Sequence, residues 1–182
     1  MQEVTINKAA RLSEHLTSSS VAALSHSSKL DGLRLTPHFT LGEMCKTSAK
    51  TADGNIPSHI HIENLKRLCG WMEMLRSEWN KRYGEGDDPI VINSGYRSEA
   101  VNKAVGGVSG SNHLTGCAAD IRVAGIEQLV RYATILLDIS DESQEDFDEL
   151  LLERSPRGGY WLHFAVRPPS QENRRKVRLI QT

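Results

Sequence analysis

The sequence predicts an α+β domain in which a small antiparallel sheet carries helices packed mainly on one face. Two long segments place apolar residues at helical spacing, and several short apolar segments are bounded by turn-forming residues. The last two short segments are joined by a loop that contains Pro and paired Gly, which suits a hairpin. Because a hairpin joins antiparallel strands, we expect helices and sheet to form separate layers of one small domain.

The helices are predicted from apolar spacing and from capping residues. The main core helix is expected to start after Ser58 and to stop at Gly84, and a second amphipathic helix spans 126–136. A brief helix is expected between Ser98, which can cap its start, and Gly106. These segments supply the helical layer.

The strands are predicted from short apolar runs between turn formers. Residues 89–93 and 117–123 each form such a run. Residues 147–153 and 160–166 flank the loop 154–159 and are expected to pair as a hairpin. The sheet is therefore expected to contain these segments.

Composition and length indicate one globular domain. The 182 residues are 38% hydrophobic and 25% charged, with a formal net charge of -1. This balance gives no reason to expect nucleic-acid binding, and no apolar run is long enough for a membrane span. We interpret the basic run 174–178 as a solvated surface without a function. We predict a domain at 36–167, a loosely packed or peripheral N-terminal extension at 1–35 and a basic C-terminal tail at 168–182.

The N-terminus and the cysteines indicate the cellular compartment that we expect for the chain. No apolar stretch typical of a secretory signal follows the first residues, so we expect the chain to be cytoplasmic as synthesised. Cys45, Cys69 and Cys117 are odd in number and lack CxxC spacing. We therefore expect reduced, buried thiols and neither a disulfide framework nor a thiolate metal site.

Three polar residues lie where burial is expected. Asp120 follows Ala119 in an apolar strand, where a carboxylate costs several kcal/mol unless it is paired or binds a metal. His163 lies in another apolar strand, and His113 ends a loop rich in Gly and Ser. Two nitrogens and one oxygen are a ligand set of catalytic zinc, which keeps a fourth position for water. A buried Asp–His pair without a metal explains two of these residues as well, so both interpretations stay open on spacing alone.

Three ordered motifs resemble a known family. SGYRS at 94–98, SNHLTGCAAD at 111–120 and WLHFAV at 161–166 are similar to the SGYR, SxHxxGxAxD and WxH signatures of the zinc D-Ala-D-Ala carboxypeptidase family. That family includes vancomycin-resistance D,D-dipeptidases and phage L-alanyl-D-glutamate endopeptidases, and it shares its fold with hedgehog signalling domains. The upstream segments HFTLGEMC and GNIP resemble a prophage-like branch, so the resemblance covers about residues 36–167.

The resemblance implies a site and a reaction. One zinc ion would be held by His113, Asp120 and His163, while Arg97 would contact the substrate and polarise its scissile carbonyl and Ser111 would line the pocket. The implied enzyme is a zinc-dependent peptidase that hydrolyses D-amino-acid-containing peptide bonds of peptidoglycan with a water that zinc activates. It would act as a D,D-carboxypeptidase or as an endolysin-type endopeptidase. We expect a monomer whose partner is the peptidoglycan peptide, reached after release to the cell wall.

The general base departs from the family pattern. Many members carry an acid three residues before the last histidine, where this sequence has Tyr160. The preceding strand offers Asp148, Glu149 and Glu153 instead, and the resemblance to the prophage-like branch favours Glu153.

The register between the last two strands decides among these acids. If Glu153 lies opposite Trp161, its side chain shares a face with His163 and lies one step away along the diagonal. A register that places Glu149 opposite His163 would favour Glu149 instead. If none of the acids reaches the metal, the alternative is a non-catalytic zinc-bearing module of the hedgehog type that recognises a peptide or glycan.

Overall fold

The computed structural model describes residues 32–181 and contains a five-stranded sheet in the order β1-β2-β4-β3-β5. Neighbouring strands are antiparallel except for β3 and β5, which run parallel. The predicted α+β class with a mainly antiparallel sheet is therefore confirmed. The strands are β1 (Ile92–Ser94), β2 (Ala118–Arg122), β3 (Glu149–Arg154), β4 (Tyr160–Ala165) and β5 (Lys176–Gln181).

The helices begin where the capping residues predict. Ser58 precedes the longest helix, and its hydroxyl accepts a hydrogen bond from the backbone N–H of His61 while His61 Nδ1 accepts one from Ser58 N–H. Ser98 caps the short third helix by accepting from the N–H of Val101. The helices are α1 (Leu41–Met44), α2 (His59–Arg82), α3 (Glu99–Ala104) and α4 (Ile126–Ser143), with a 3-10 helix at Asn112–Thr115.

One face of the sheet forms the core with α2 and α4. Alternate residues of β2, β3 and β4 point to this face, and Ile121, Leu150 and Phe164 are fully buried there. Burying each such side chain stabilises the fold by about 1.5–3 kcal/mol. The intervening residues, among them Asp120 and His163, therefore lie on the opposite face, away from the main helices.

The basic segment near the C-terminus contributes a strand. We predict a solvated surface within a tail for 174–178, but Lys176–Gln181 pairs with β3 as the fifth strand of the sheet. Val177 and Leu179 are 46% and 77% exposed, because β5 lies at the edge of the sheet and leaves much of its own surface uncovered. The sequence of β5 has no strong alternation of apolar and polar residues, so its pattern predicts a tail and not a strand.

The N-terminal side meets the core earlier than predicted. Residues 1–31 of the predicted extension lie outside the described residues. Leu33 and Leu35 pack against the core, and Leu33 O accepts a hydrogen bond of 2.8 Å from Leu41 N–H.

Within residues 32–181, the helices lack the combination of length and apolar composition that a membrane-spanning helix requires.

Candidate metal centre

The three predicted ligands meet on the face of the sheet that is free of α2 and α4. Asp120 of β2 lies directly opposite His163 of β4 in the antiparallel ladder. His113 belongs to the 3-10 helix that precedes β2, and Gly116 reverses the chain between them with a φ of 72°. All three ligand candidates are buried, and one potential ligand atom from each lies within 4.8 Å of the others.

The donor atoms have the spacing of a metal site. His163 Nδ1 lies 2.9 Å from Asp120 Oδ1, and His113 Nε2 lies 3.2 Å from the same oxygen. Ligands at about 2.0–2.1 Å from a tetrahedral zinc ion are separated from one another by roughly 3.3 Å. The two nitrogens and the oxygen are therefore arranged as neighbouring ligands around a point.

The tautomer of His113 places an unprotonated nitrogen, Nε2, next to Asp120 at that point. The carbonyl of Gly95 lies 2.6 Å from His113 Nδ1 and can only accept, so Nδ1 carries the hydrogen. Burial lowers the pKa of His113, which keeps the ring neutral and leaves a lone pair on Nε2. This lone pair faces a carboxylate oxygen of Asp120, an arrangement of two acceptors that a bound cation satisfies. The residues therefore fit a zinc ion.

The loop after β1 fixes the orientation of His113. A Cβ at Gly95 would lie 2.3 Å from the carbonyl oxygen of Met44, so only glycine fits at this position. The same carbonyl accepts a hydrogen bond of 2.7 Å from Tyr96 N–H, and Arg97 N–H donates to His113 O at 3.1 Å. The Gly95 carbonyl that selects the tautomer of His113 is thus held in place by its neighbours.

Arg97 lies beside the ligands, and Ser111 lies before His113. The Arg97 Nε–H donates to Ser94 Oγ at 2.8 Å, and its Nη2 pairs with Asp120 Oδ2. Ser111 caps the 3-10 helix, accepting at 3.4 Å from the backbone N–H of His113. Arg97 is therefore at the candidate centre, whereas the contact seen for Ser111 orders the loop that carries His113. Their predicted roles toward substrate stay predictions.

The register between β3 and β4 is the predicted one that places Glu153 on the same face of the sheet as His163. Glu153 lies opposite Trp161, and Leu151 lies opposite His163. Glu153 is half-buried, and burial raises the pKa of its carboxyl group. Within residues 32–181 its carboxylate has no hydrogen-bond partner, although the charges of His163 and Asp120 act on it. Its assignment as base stays a prediction.

Glu149 occupies the opposite side of the His163 ring. Its Oε2 atom is 3.6 Å from His163 Nε2, the nitrogen that does not face Asp120. The Lys176 ammonium lies 2.7 Å and the Arg174 guanidinium 2.9 Å from Glu149 Oε1. The nearby His163 and the cation of Lys176 hold the pKa of Glu149 well below its usual range. Glu149 is thus committed to contacts away from the candidate metal position.

The third acid considered as a base, Asp148, lies just before β3 and is held in ion pairs within the fold. Asp148 is fully buried and forms ion pairs with Arg167 at 2.8 Å and Arg174 at 2.7 Å. Asn112 donates to Asp148 Oδ2 at 2.9 Å and to Glu149 Oε2 at 3.2 Å. The sequence did not predict the contacts of Asn112 and Arg174 or the role of the Gly95 carbonyl. The basic run 174–178, which contains Arg174, was the one sequence signal for these contacts.

Comparisons with known proteins match the part of the chain that carries two of the three ligand candidates. A family model described as peptidase M15 matches residues 37–138, which include His113 and Asp120. The zinc D-Ala-D-Ala carboxypeptidase of Streptomyces albus G is 50% identical over 84 residues. That alignment covers 46% of this chain and 31% of the relative, so the chain matches less than a third of the relative's length.

Proposed function

This chain belongs to the peptidase M15 family, and from that premise we propose that it hydrolyses D-amino-acid-containing peptide bonds of bacterial peptidoglycan. The family and the name of the similar carboxypeptidase support the expected enzyme class and the expected metal, zinc, for which three residues offer potential ligand atoms. The name of the relative supports a peptide with D-alanine residues as the class of substrate.

The observation that carries the proposal is the convergence of His113 Nε2, Asp120 Oδ1 and His163 Nδ1 on one buried point. Zinc bound there supplies a Lewis acid that polarises a carbonyl group and makes water a nucleophile near neutral pH. The protein contributes three ligands, a number that leaves a position for substrate and water.

Arg97 supplies the fixed positive charge of the site. Its guanidinium is held from two directions, by Ser94 Oγ and by Asp120 Oδ2. Further N–H groups of the same planar fork stay available to a substrate carbonyl or carboxylate. A permanent cation held beside the ligands stabilises the negative charge that develops on the scissile carbonyl oxygen.

Glu153 supplies the base in this proposal. A carboxylate diagonal to His163 across the ladder lies about 7–8 Å from it between the backbones, a span that a glutamate side chain covers. Its raised pKa brings the group closer to the pH at which a carboxylate both accepts and returns a proton. Glu153 would take a proton from the attacking water and deliver it to the leaving amine.

Digestion of purified peptidoglycan, followed by mass analysis of the products, tests the proposal. Release of free D-alanine identifies a carboxypeptidase, and fragments cut inside the peptide identify an endolysin-type endopeptidase. Zinc-loaded protein that binds the cell wall without releasing any fragment would contradict the proposal and favour the recognition module. The His163→Ala variant is the control for a contaminating hydrolase. That the protein reaches the cell wall after release from the cytoplasm also stays a prediction.

A further inference from the structure

The Nε2 atom of His163 is a buried polar atom that forms no hydrogen bond within residues 32–181. His163 is 7% exposed, and within residues 32–181 this nitrogen has no hydrogen bond while Nδ1 faces Asp120. Buried polar atoms in folded proteins are nearly always paired. When Nδ1 binds a metal, Nε2 must carry the hydrogen of the neutral ring and needs an acceptor.

Glu149 is the acceptor that the structure offers. Its Oε2 atom is 3.6 Å from Nε2, slightly beyond hydrogen-bonding distance, so a movement of a few tenths of an ångström closes the contact. Glu149 does not belong to the cluster of potential ligand atoms and faces Nε2 of His163, not Nδ1. Its side chain therefore acts on the candidate metal position through His163.

Glu149 is itself held by three side chains. Lys176 Nζ donates to Glu149 Oε1 at 2.7 Å, Arg174 Nη2 approaches the same oxygen at 2.9 Å, and Asn112 Nδ2 donates to Oε2 at 3.2 Å. Two of these partners come from the basic segment at and before β5. The segment therefore places an anion against His163 and balances its charge.

We propose that Glu149 is a positioning residue, which accepts a hydrogen bond from His163 Nε2–H and thereby directs Nδ1 to the metal, and that Lys176 and Arg174 hold it there. The inference deepens the proposed function, since it rests on the same zinc site. A carboxylate behind a ligating histidine fixes the tautomer and the ring orientation and makes the other nitrogen a stronger donor to the metal.

Zinc affinity, measured by competition with a chelator, provides the first test. Glu149→Ala is expected to weaken zinc binding by about 10- to 100-fold, the range found for such outer partners. Glu149→Gln is expected to recover part of the loss, because its amide oxygen still accepts a hydrogen bond. Lys176→Met should produce a smaller loss. The matched control is Arg175→Gln, because Arg175 lies beside these residues but pairs with Asp141 and Asp146.

Proton NMR of the cobalt-substituted protein separates positioning from general stability. The wild-type spectrum should contain two slowly exchanging imidazole N–H signals, from His113 Nδ1–H bonded to Gly95 O and from His163 Nε2–H. Glu149→Ala should speed the exchange of the His163 signal and leave the His113 signal unchanged. A merely structural defect would alter both. Should the alanine variant fail to fold, Glu149→Gln carries both measurements.

Unchanged zinc affinity and unchanged exchange of the His163 signal in Glu149→Ala and Glu149→Gln would overturn the inference. If His163→Ala loses zinc in the same assay, the zinc site and the proposed function survive that failure. Conversely, weakened zinc binding by Glu149→Ala in a protein that cleaves no peptidoglycan would support the positioning role and contradict the proposed activity.

Discussion

Asp120 of β2 and His163 of β4 are directly opposed in the sheet, and 2.9 Å separates Asp120 Oδ1 from His163 Nδ1. The same oxygen faces His113 Nε2, and the second oxygen of the carboxylate pairs with Arg97. One carboxylate therefore links both histidine ligands to the fixed cation.

We expect one zinc ion per chain in the wild-type protein. His113→Ala, Asp120→Ala and His163→Ala should each abolish tight binding, because two remaining ligands do not make a stable site. Metal analysis after dialysis measures this. His59→Ala, which removes an exposed histidine of α2, is the control and should keep its zinc. Full zinc content in His163→Ala would mean that the assigned site is wrong.

Arg97→Lys should keep the fold and the zinc but lower the turnover of peptidoglycan. A lysine ammonium keeps the charge, yet it cannot bond Ser94 and Asp120 while offering a planar pair of donors to substrate. Steady-state kinetics at confirmed zinc content measures the effect. Arg82→Lys on α2 is the control, since Arg82 pairs with Glu78 and Asp138 away from the site. Equal rates for Arg97→Lys and wild type would remove Arg97 from the mechanism.

Glu153→Gln should lower the catalytic rate by about 10²- to 10⁴-fold and leave zinc bound. The substitution preserves size and removes the basic carboxylate. Glu127→Gln, on the exposed surface of α4, controls for the loss of a charge. Wild-type turnover in the zinc-loaded Glu153→Gln protein would show that another group accepts the proton.

Zinc affinity should increase with pH up to about pH 9. Burial alone would lower the pKa of His163, but the carboxylates of Asp120 and Glu149 outweigh it and raise the pKa from 6.5 to about 9 in the metal-free protein. A protonated His163 cannot bind a metal, so affinity should rise about tenfold per pH unit below that value. Zinc titrations at several pH values measure this, and a flat profile between pH 6.5 and 9 would contradict it.

The stability of the metal-free protein should change with pH in the opposite direction. Because the folded state raises the pKa of His163, the folded protein binds this proton more tightly than the unfolded chain does. The resulting stability is fully present below about pH 6.5 and is lost as the pH rises through about 9. Urea unfolding of metal-free wild type and His163→Gln should show this loss of stability between about pH 6.5 and 9 in the wild type and a smaller change over the same range in the variant.

Gly95→Ala should destabilise the protein by about 1–3 kcal/mol, the usual cost of overpacking. The new methyl group would lie 2.3 Å from the Met44 carbonyl oxygen and would displace the Gly95 carbonyl that orients His113. Zinc affinity should therefore fall together with stability. Gly86→Ala is the matched control, because a Cβ there meets nothing within 4 Å. Chemical denaturation of both variants decides whether the two glycines differ.

Local signals in the sequence predicted most of the elements. Ser58 and Ser98 mark helix starts because their hydroxyls satisfy N–H groups that a helix leaves free, and this depends only on neighbouring residues. The predicted strand at 89–93 begins later, at Ile92, the first residue in register with β2, and Val91 contributes only a carbonyl that accepts from Arg122 N–H at 2.9 Å. Pairing is a property of two segments and cannot be read from one of them.

The contacts around Glu149 were not predictable for a related reason. Lys176 and Glu149 meet because β3 and β5 are parallel neighbours, a relationship between segments separated by more than 20 residues. The strand–loop–strand pattern predicted β3 and β4 through their connecting turn, whereas nothing local marks β5 as their neighbour. Family motifs identified the three ligand candidates, but these motifs do not include the residues that hold Glu149.

The parallel pairing of β5 with β3 has a consequence for shortened forms of the protein. A form cut before Arg174 would still contain His113, Asp120 and His163. It would lack Arg174 and Lys176, the two positive charges beside Glu149. Under the proposed role of Glu149, such a form would therefore carry every zinc ligand and bind zinc more weakly than the full chain.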